Sequence, residues 1–412
     1  MALIVQKYGG TSVADPDRIA NVANRVVRQW QAGHRMVVVL SAMAGETDRL
    51  IKLAKEMADD PDPREVDVLL ATGEQVTVSL FSMFLRAQGV PAVSLLSHQA
   101  RIYTDRAYGR ARIIGIDTAR IREELKKNRV VTVAGFQGVD EVGNITTLGR
   151  GGSDTTAVAV AAALKANLCE IYTDVDGVYT TDPRIYSKAR KLEKISYDEM
   201  LEMASLGAKV LEIRSVGFAK RYGVPLAVRS TFTDDPGTLM TEEDEEMEEI
   251  PVSGVALSRN DARVTITRVP DRPGIAVKLF KPVADANIVV DMIIQNTGMD
   301  GYTDLTFTVP QGDLKKTLEI MGPVAQGIGA QQVSGEENIA KVSIIGVGMK
   351  NHPGIAAKMF ESLAAQNINI MMISTSEIKI SVVIDEKYGE LAVRVLHDAF
   401  GLESPPPRKI KG

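Results

Sequence analysis

The chain has 412 residues, more than one hydrophobic core usually serves, and its 45% apolar and 25% charged content is typical of globular proteins, so we expect two or three domains. The longest uncharged apolar stretch, residues 155–164, is too short to span a bilayer, and Lys7 interrupts the N-terminal segment where a signal peptide needs apolar residues. One cysteine, Cys169, and four histidines argue against an internal disulfide and a Cys/His metal cluster, so we expect a cytoplasmic protein without a membrane partner.

The first part of the chain alternates short β-branched runs with helical patterns. Five runs are predicted to be strands, at residues 3–5, 36–40, 130–134, 170–173 and 225–228. This alternation predicts an α/β sandwich with a mainly parallel sheet. In such folds ligands bind at the loops that follow the carboxyl ends of the strands, so functional motifs are expected there.

A first glycine-rich turn follows the first predicted strand directly and contains Lys7, Tyr8, Gly9 and Gly10. Two glycines allow backbone N–H groups to approach a phosphate closely, and a lysine at the end of a strand offers it a cation. A lysine before two glycines is a weak motif, however, and an ordinary solvent-exposed loop explains it equally well. The turn therefore needs support from elsewhere in the chain.

A second glycine-rich turn, GRGGSD at residues 149–154, lies between a predicted strand at 145–147 and a strongly helical segment at 155–164. Ser153 or Asp154 can cap that helix, but a cap does not require three glycines and an arginine. Arginine at a helix N-terminus is a planar, bidentate partner for a carboxylate or a phosphate, so we interpret the turn as an anion site. The chain contains no P-loop, protein-kinase or dinucleotide-binding signature, which argues against those classes of nucleotide enzyme.

The net charge of −5 comes from one acidic run, because residues 242–249 hold seven acidic side chains and the remainder sums to +2. No basic track for nucleic acid is therefore expected. We interpret residues 241–251 as a solvated linker.

Beyond the linker, residues 271–294 align without gaps on residues 351–374, an offset of 80, with 11 of 24 positions identical. The repeat predicts two βαββαβ units.

The second copy ends before its fourth strand, because only a proline-rich stretch and a basic tail follow its second helix. Residues 252–257 precede the first copy without a partner and have the length and β-branched content of a strand. We therefore expect a discontinuous second unit. The expected domains are residues 1–240 for the α/β sandwich, 262–338 for the first repeat unit, 252–258 with 339–403 for the second, and 404–412 as a tail.

These motifs, in this order, resemble those of the aspartate kinases of the amino acid kinase family, and the repeats resemble that family's paired ACT domains. The resemblance covers essentially the whole chain and rests on KYGGTS, SAMAGETDRL, GE, GRGGSD, YTDVDGVYTTDPR and GAKVL, which begin at residues 7, 41, 73, 149, 172 and 207. It implies a three-layer sandwich, ATP with Mg²⁺, and phosphorylation of the side-chain carboxylate of L-aspartate, the first step of lysine, threonine and methionine biosynthesis. A sibling kinase for glutamate, N-acetylglutamate or a nucleotide is one alternative, and a non-catalytic amino-acid sensor is another.

The resemblance also implies roles for individual residues. Lys7 is expected to contact the transferred phosphoryl group, and Asp154 to orient that lysine. Arg150 should bind the α-carboxylate of aspartate and Glu74 its ammonium group. The other expected positions are Ser41, Thr47, Phe136 and Ser153 in the aspartate pocket, and Lys7, Tyr8, Gly9, Gly10, Thr173, Asp174, Tyr179, Arg184 and Lys209 around the nucleotide, with no side chain assigned to a metal. Most of these have a purely structural alternative: Phe136 as core, Asp174 as a turn residue, and Arg184 and Lys209 as solvated charges.

Differences between the two repeats locate a candidate effector site. Asp271 of the first copy corresponds to Asn351 of the second, and Asp291 to Met371. A free amino acid brings one ammonium group and one carboxylate, so its site needs an acid as well as the N–H donors of a helix N-terminus. The alternative is that Asp271 merely starts a helix. The expected effector residues are Asp271, Gly274, Ala276, Val289, Val290, Asp291 and Gln295, together with Ile355, Ala356, Asn369, Ile370 and Glu377 of a facing copy from another subunit.

The resemblance further implies how the enzyme is regulated and assembled. Lysine, threonine or both are expected as inhibitors, and a homo-oligomer is expected to form through the ACT domains. Some relatives also make the regulatory half separately from an internal start, and Met247 lies where such a start would fall.

Overall fold

The computed structural model describes residues 1–206, 210–296, 298 and 300–405. The chain forms two compact units, Met1–Val178 with Lys191–Met247, and Tyr179–Arg190 with Glu248–Gly412. Each unit has its own sheets and its own buried core.

The first unit contains twelve strands in its described residues. They are β1 (Leu3–Tyr8), β2 (Arg35–Leu40), β3 (Ala92–Leu95), β4 (Ile102–Thr104), β5 (Ile113–Ile116), β6 (Val130–Ala134), β7 (Gln137–Val139), β8 (Ile145–Thr147), β9 (Leu168–Thr173), β10 (Lys194–Ser196), β11 (Leu226–Ser230) and β12 (Thr238–Thr241). Eight of them form one sheet in the order β10-β12-β11-β9-β1-β2-β6-β3. The six strands from β11 to β3 run parallel, and only β12 and β10 run the other way, so the predicted mainly parallel sheet is confirmed.

Helices pack against this sheet, and a smaller sheet of order β5-β4-β7-β8 lies beside it. The helices are α1 (Pro16–Gln31), α2 (Glu46–Met57), α3 (Pro63–Leu70), α4 (Thr72–Ala87), α5 (Ser97–Ala100), α6 (Ala119–Lys126), α7 (Gly152–Leu164), α8 (Tyr197–Ser205) and α9 (Ile213–Tyr222). The central strands are nearly continuous apolar runs because helices cover both faces of a parallel sheet. Met36 and the four residues after it in β2 are each 0% exposed.

One helical run among the described residues, Pro63–Ala87, is long and apolar enough to cross a membrane by length and composition alone. The run consists of α3 and α4, and half of its most apolar window is buried inside the first unit. It also carries the buried carboxylates of Asp67 and Glu74. These are features of the core helices of a globular domain, so we do not interpret the run as a membrane span.

The acidic run is partly ordered, whereas the sequence predicts a solvated linker. Residues Glu245–Glu248 form the short helix α10, and Met247 is buried. Asp244 precedes the helix, accepts a hydrogen bond from the Met247 N–H group at 3.0 Å and forms an ion pair with Lys194. The boundary between the two units falls after Met247, within residues 241–251.

The second unit contains two four-stranded antiparallel sheets. Its elements are β13 (Gly254–Ser258), β14 (Asp261–Pro270), α11 (Ile275–Asp285), β15 (Ile293–Gln295), β16 (Tyr302–Pro310), α12 (Leu314–Ile328), β17 (Gln332–Glu336), β18 (Ile339–Ile345), α13 (Ile355–Ala364), β19 (Met372–Thr375), β20 (Lys379–Asp385) and α14 (Gly389–Ala399). The first repeat runs β14-α11-β15-β16-α12-β17, and its sheet has the order β15-β16-β14-β17. This is the βαββαβ pattern expected from the sequence.

The second repeat takes its fourth strand from before the first. In the sheet of order β13-β18-β20-β19, β13 pairs antiparallel with β18, from Gly254 opposite Ile345 to Ser258 opposite Lys341. Val252 and Val255 are part of the same buried core. The segment that the sequence leaves without a partner, residues 252–257, therefore overlaps the strand that completes this sheet.

One segment departs from the expected continuous catalytic domain of residues 1–240. Tyr179–Arg190 belongs to the second unit. The reason is a set of hydrogen bonds: the Thr180 carbonyl accepts from the Val255 N–H group at 2.7 Å, and the Thr180 hydroxyl lies 2.9 Å from Nε2 of His397 on α14. The Tyr186 hydroxyl also donates to Asp398 at 2.6 Å. Such contacts join distant parts of the chain and leave no local pattern in the sequence.

Candidate active site and effector site

Lys7 and Asp154 form an ion pair, with Nζ 2.6 Å from Oδ1, and their side chains are only 12% and 13% exposed. Lys7 lies near the carboxyl end of β1, and Asp154 lies in the first turn of α7. The two glycine-rich turns therefore meet in space. A largely buried cation held by one carboxylate at a helix N-terminus is suited to bind a phosphate group.

Three motifs converge on Ala42, which follows β2. A Cβ atom added to Gly10 would lie 2.8 Å from the Ala42 carbonyl oxygen, and one added to Gly73 would lie 2.8 Å from the Ala42 side chain. The Ala42 N–H group donates to Oε1 of Glu74 at 3.0 Å. Glycine is required at both contacts because any side chain would push the first turn or α4 away.

The side chain of Tyr8 does not face this site. Tyr8 is 0% exposed, and its ring stacks on that of Tyr172 with 4.6 Å between centroids. Its hydroxyl donates a hydrogen bond to Oε1 of Gln6 at 3.1 Å. Alternation along β1 places Lys7 and Tyr8 on opposite faces of the sheet. Of the expected nucleotide residues in this turn, Tyr8 can therefore offer only its backbone. Gly9 lies on the side of the Lys7 ammonium group, since a Cβ atom added to it would be 3.5 Å from Nζ.

The second turn presents Arg150 between two glycines in left-handed conformations. Gly149 has φ +73° and Gly151 φ +68°. A Cβ atom on Gly151 would lie 2.4 Å from the Glu212 side chain. Arg150 is exposed, its guanidinium forms no ion pair with the described residues, and its carbonyl accepts a hydrogen bond from Arg214 at 2.6 Å. The turn thus holds its backbone firmly and leaves a cation available for an anion.

Glu74 is a buried carboxylate with one oxygen still available. It is 3% exposed, and no group among the described residues donates a hydrogen bond to Oε2. Burial raises the pKa of Glu74 to about 7, although the Ala42 and Glu74 N–H groups act in the opposite direction. A buried acid with an orphan oxygen is costly unless a ligand donates to it, so Glu74 is suited to receive an ammonium group.

Two of the other expected pocket residues follow strands of the central sheet, and two lie in the first turns of helices. Ser41 follows β2, and its N–H group donates to the Tyr8 carbonyl at 3.1 Å. Phe136 follows β6 with φ +67°, an uncommon conformation for a bulky residue, and its N–H group donates to Thr156 at 3.2 Å. Ser153 is buried at the start of α7, and Thr47 is half-buried in the first turn of α2.

Thr173 and Asp174 lie at the end of β9, next to β1 in the sheet. The Thr173 hydroxyl donates to Asp174 at 3.0 Å, and its carbonyl accepts from the Thr231 N–H group at 3.0 Å. The Thr231 hydroxyl in turn lies 2.6 Å from that of Ser12 in the first turn. This network joins the Lys7 turn to the expected nucleotide residues. Thr231 is a member that no motif in the sequence predicts.

The remaining expected nucleotide residues are placed differently. Tyr179 and Arg184 lie in the segment that belongs to the second unit. Arg184 is 89% exposed and pairs with Asp182 at 2.7 Å. Lys209 lies outside the described residues. The structure therefore places Lys7, Asp154, Thr173 and Asp174 in one unit and assigns Tyr179 and Arg184 to the other.

The second unit contains a cavity of about 360 Å³ lined by residues 269–276, Gln295 and Leu305. Asp271, Gly274 and Ala276 of the expected effector set lie in this lining together with Gln295. Gly274 has φ +88° and precedes α11, so the first N–H groups of that helix border the cavity. An acid beside a helix N-terminus offers partners for both charges of a free amino acid.

Asp291 does not line this cavity. It pairs with Lys341 at 2.5 Å, and that lysine, only 6% exposed, also lies 3.2 Å from Asp261. Val289 is exposed, and Val290 packs against the core of the first repeat. In the second repeat Ile355, Ala356 and Ile370 pack against its core, whereas Asn369 and Glu377 are exposed.

Comparisons with known proteins agree with this architecture. The amino acid kinase family model matches residues 2–230, and two ACT-domain models match residues 263–323 and 342–400. An aspartate kinase from Stutzerimonas stutzeri is 59% identical over 406 residues, which cover 98% of this chain and 98% of that protein. The chain belongs to the aspartate kinases of the amino acid kinase family. It is an enzyme that uses ATP to phosphorylate aspartate.

Solved structures of an aspartate kinase resemble the whole chain. E. coli aspartokinase III in complex with aspartate and ADP has a TM-score of 0.77 at 29% identity, covering 96% of this kinase and 99% of that chain. The same protein in complex with lysine and aspartate has a TM-score of 0.76 at 29% identity, covering 97% of this kinase and 99% of that chain.

Proposed function

We propose that Lys7 and Asp154 perform the phosphoryl transfer of this aspartate kinase, from ATP to the side-chain carboxylate of L-aspartate. The observation that carries the proposal is their largely buried ion pair at the meeting point of the two glycine-rich turns. The product is 4-phospho-L-aspartate, the entry to lysine, threonine and methionine biosynthesis.

The reaction needs charge neutralisation more than proton transfer. The side-chain carboxyl of free aspartate has a pKa of about 3.9 and is already ionised near pH 7, so no general base is required. The obstacle is repulsion between this anion and the phosphates. Lys7 and the backbone N–H groups of Gly9 and Gly10 would offset that repulsion, and Asp154 would hold the lysine in place.

We propose that Arg150 and Glu74 orient aspartate by its α-carboxylate and its α-ammonium group. The guanidinium of Arg150 would bind the α-carboxylate, and the free Oε2 of Glu74 would accept from the ammonium group. Ser41, Thr47, Phe136 and Ser153 would complete the pocket. Binding at both ends leaves the side-chain carboxylate directed toward the phosphate.

The nucleotide would lie over Gly9, Gly10, Thr173 and Asp174, with Tyr179, Arg184 and Lys209 as further expected contacts. The described residues contain no group of three or more His, Cys, Asp or Glu side chains that could hold a metal. Mg²⁺ commonly keeps several waters and binds through nucleotide phosphates, so these residues fit a metal that arrives with ATP. When bound, Mg²⁺ supplies further neutralisation of the phosphate charge.

We propose that lysine, threonine or both bind in the cavity at Asp271 and inhibit the enzyme. The complex of E. coli aspartokinase III with lysine supports lysine as a candidate. Asp271 would receive the ammonium group, and the N-terminus of α11 the carboxylate. Asp291 could take part only if the effector displaced Lys341. The facing repeat would come from another subunit of a homo-oligomer built through the ACT domains.

The proposed domains are residues 1–240, 262–338, and 252–258 with 339–403, with Tyr179–Arg190 as the exception noted above. We also propose that the enzyme is cytoplasmic, since its one cysteine, Cys169, is fully buried and has no partner for a disulfide. A separate regulatory product from Met247 is a further proposal. A western blot with an antibody to the C-terminal half would detect it.

A hydroxamate-trapping assay with ATP and Mg²⁺ tests the function. Aspartate should yield the hydroxamate, whereas glutamate and N-acetylglutamate should not. Activity with either of those two substrates would favour a sibling kinase, and no activity with any of them would favour an amino-acid sensor. Steady-state rates with lysine, threonine and both together would identify the effector and show whether inhibition is concerted.

A further inference from the structure

Asp67 on α3 is a fully buried carboxylate to which no role has yet been assigned. The Gly109 N–H group donates to both of its oxygens at 3.0 Å. Thr147 donates twice at 2.7 Å, from its N–H group to Oδ2 and from its hydroxyl to Oδ1. A carboxylate that accepts hydrogen bonds from two distant segments fixes them relative to each other.

Both segments support the turn that presents Arg150. Thr147 ends β8, two residues before Gly149. Gly109 contacts Gly149 from the other side, since a Cβ atom on Gly149 would lie 2.9 Å from the Gly109 carbonyl oxygen. The Thr147 carbonyl also accepts from the Ala111 N–H group at 2.8 Å. The first residue of the turn is therefore enclosed between two segments that Asp67 holds together.

We propose that Asp67 is a positioning residue for Arg150, acting through Thr147 and Gly109 on the backbone of the turn. The inference rests on the proposed role of Arg150 in binding the α-carboxylate of aspartate. The arginine side chain is exposed, so its backbone is what sets the direction from which it reaches the substrate. Burial raises the pKa of Asp67 while its hydrogen bonds lower it, which indicates that the site keeps a buried acid at a cost.

Glu124 on α6 provides a control at another fully buried carboxylate of the first unit. It is 0% exposed, and the guanidinium of Arg129 donates a hydrogen bond to it at 2.7 Å. Its ion-pair partners are Arg120, Lys127 and Arg129, which lie outside residues 105–111 and 147–154. Glu124→Ala therefore removes a buried, hydrogen-bonded carboxylate without removing the support of Arg150.

The test compares L-aspartate with its α-carboxamide, L-isoasparagine, which keeps the side-chain carboxylate but lacks the anion assigned to Arg150. The measurement is kcat/KM for L-aspartate divided by kcat/KM for L-isoasparagine. KM for ATP is measured alongside. In Asp67→Ala the ratio should fall by about tenfold or more, toward that of Arg150→Ala, while KM for ATP changes by less than about threefold. In Glu124→Ala the ratio should stay at the wild-type value, even if the melting temperature falls.

Asp67→Asn separates positioning from a general loss of structure. Its amide oxygen can accept from the N–H groups of Gly109 and Thr147, and its NH₂ group can donate to the Thr147 hydroxyl, which can act as an acceptor. This variant should retain the wild-type ratio within about threefold. If Asp67→Ala does not fold, Thr147→Val removes only the hydroxyl contact and should lower the ratio by about threefold.

An unchanged ratio in folded Asp67→Ala, or in Thr147→Val if the alanine variant does not fold, would overturn the inference. An inactive wild-type enzyme, or an unchanged ratio in Arg150→Ala, would instead overturn the proposed function. The two failures can therefore be told apart.

Discussion

The ammonium group of Lys7 lies 2.6 Å from the carboxylate of Asp154, in surroundings that leave each side chain only about one-eighth exposed. The pair joins the first parallel strand to the N-terminus of α7, so two segments far apart in sequence position one cation. Water screens a partly buried charge weakly, which strengthens its interaction with a phosphate.

Lys7→Ala should lower kcat by about two to three decades and change KM for aspartate far less. At an effective dielectric constant of about 20, one cation 4 Å from the developing charge is worth on the order of 4 kcal/mol, and each 1.36 kcal/mol is about tenfold in rate. Steady-state kinetics would measure both constants. Lys52→Ala, at an exposed position on α2, is the control and should leave them unchanged. Unaltered turnover in Lys7→Ala would remove Lys7 from the mechanism.

Glu74 should make aspartate binding depend on pH near neutrality. Its pKa of about 7 means that roughly half of the ligand-free enzyme carries a neutral acid at pH 7, and only the ionised form pairs with an ammonium group. We expect kcat/KM for aspartate to rise through pH 7 and to level off above pH 8. Calorimetry in two buffers at pH 7 should show release of about half a proton on binding. Glu74→Gln should abolish the inflection and the release, and a wild-type profile in this variant would contradict the assignment.

The same group should make the ligand-free enzyme less stable at higher pH. A carboxyl whose pKa is raised by folding favours the folded state while protonated, so the stability it contributes is lost as pH rises from about 4.5 to about 7. Between pH 5 and pH 8 the wild type should lose about 2 to 3 kcal/mol more unfolding free energy than Glu74→Gln. Urea denaturation at the two pH values would measure this difference. Equal losses in both proteins would show that Glu74 ionises normally.

Gly151→Ala should lower kcat/KM for aspartate by at least about tenfold, because a β-carbon there meets Glu212 in a left-handed backbone conformation. Gly143→Ala is the matched control, since Gly143 has φ +91° but open space around it. Both variants lose stability because alanine disfavours the left-handed conformation, but only Gly151→Ala displaces the Arg150 turn. Equal activity of the two would show that the turn tolerates displacement.

Asp271→Ala should weaken inhibition by lysine or threonine by about 5- to 150-fold, the range of typical coupling energies of 1–3 kcal/mol, with uninhibited kcat unchanged. Asn351→Ala alters the equivalent position of the second repeat and should leave inhibition intact. Inhibition curves at fixed aspartate would compare the three proteins. Wild-type inhibition of Asp271→Ala would exclude the cavity at α11 as the effector site.

The sequence predicts the central sheet better than its margins. Strands β2 and β6 are recognisable because burial on both faces produces continuous apolar runs. The short strands β3 and β10 are not, because four or three residues carry too little pattern to distinguish a strand from a loop. The repeat predicts the missing strand of the second ACT unit because a gap in one copy is visible by comparison with the other.

The candidate site was predictable where a motif is local and not where it depends on tertiary contacts. The GRGGSD and KYGG turns identify Lys7 and Asp154, because glycine and charge together are unusual beside a strand. Thr231 and Asp67 act through hydrogen bonds to residues far away in sequence, so nothing near them marks a role. Segment Tyr179–Arg190 is a similar case, because its attachment to β13 and α14 is visible only in the fold.

The position of β13 limits how the regulatory half can be separated from the rest. A fragment that begins after Ser258 would lose this strand. Residues 341–345 of β18, which are all buried, would then form an open edge that can pair with other molecules. A fragment that begins at Met247 would keep β13. Deletion boundaries for an isolated regulatory half therefore belong upstream of residue 252, in the acidic run, even though the first repeat does not begin until after residue 260.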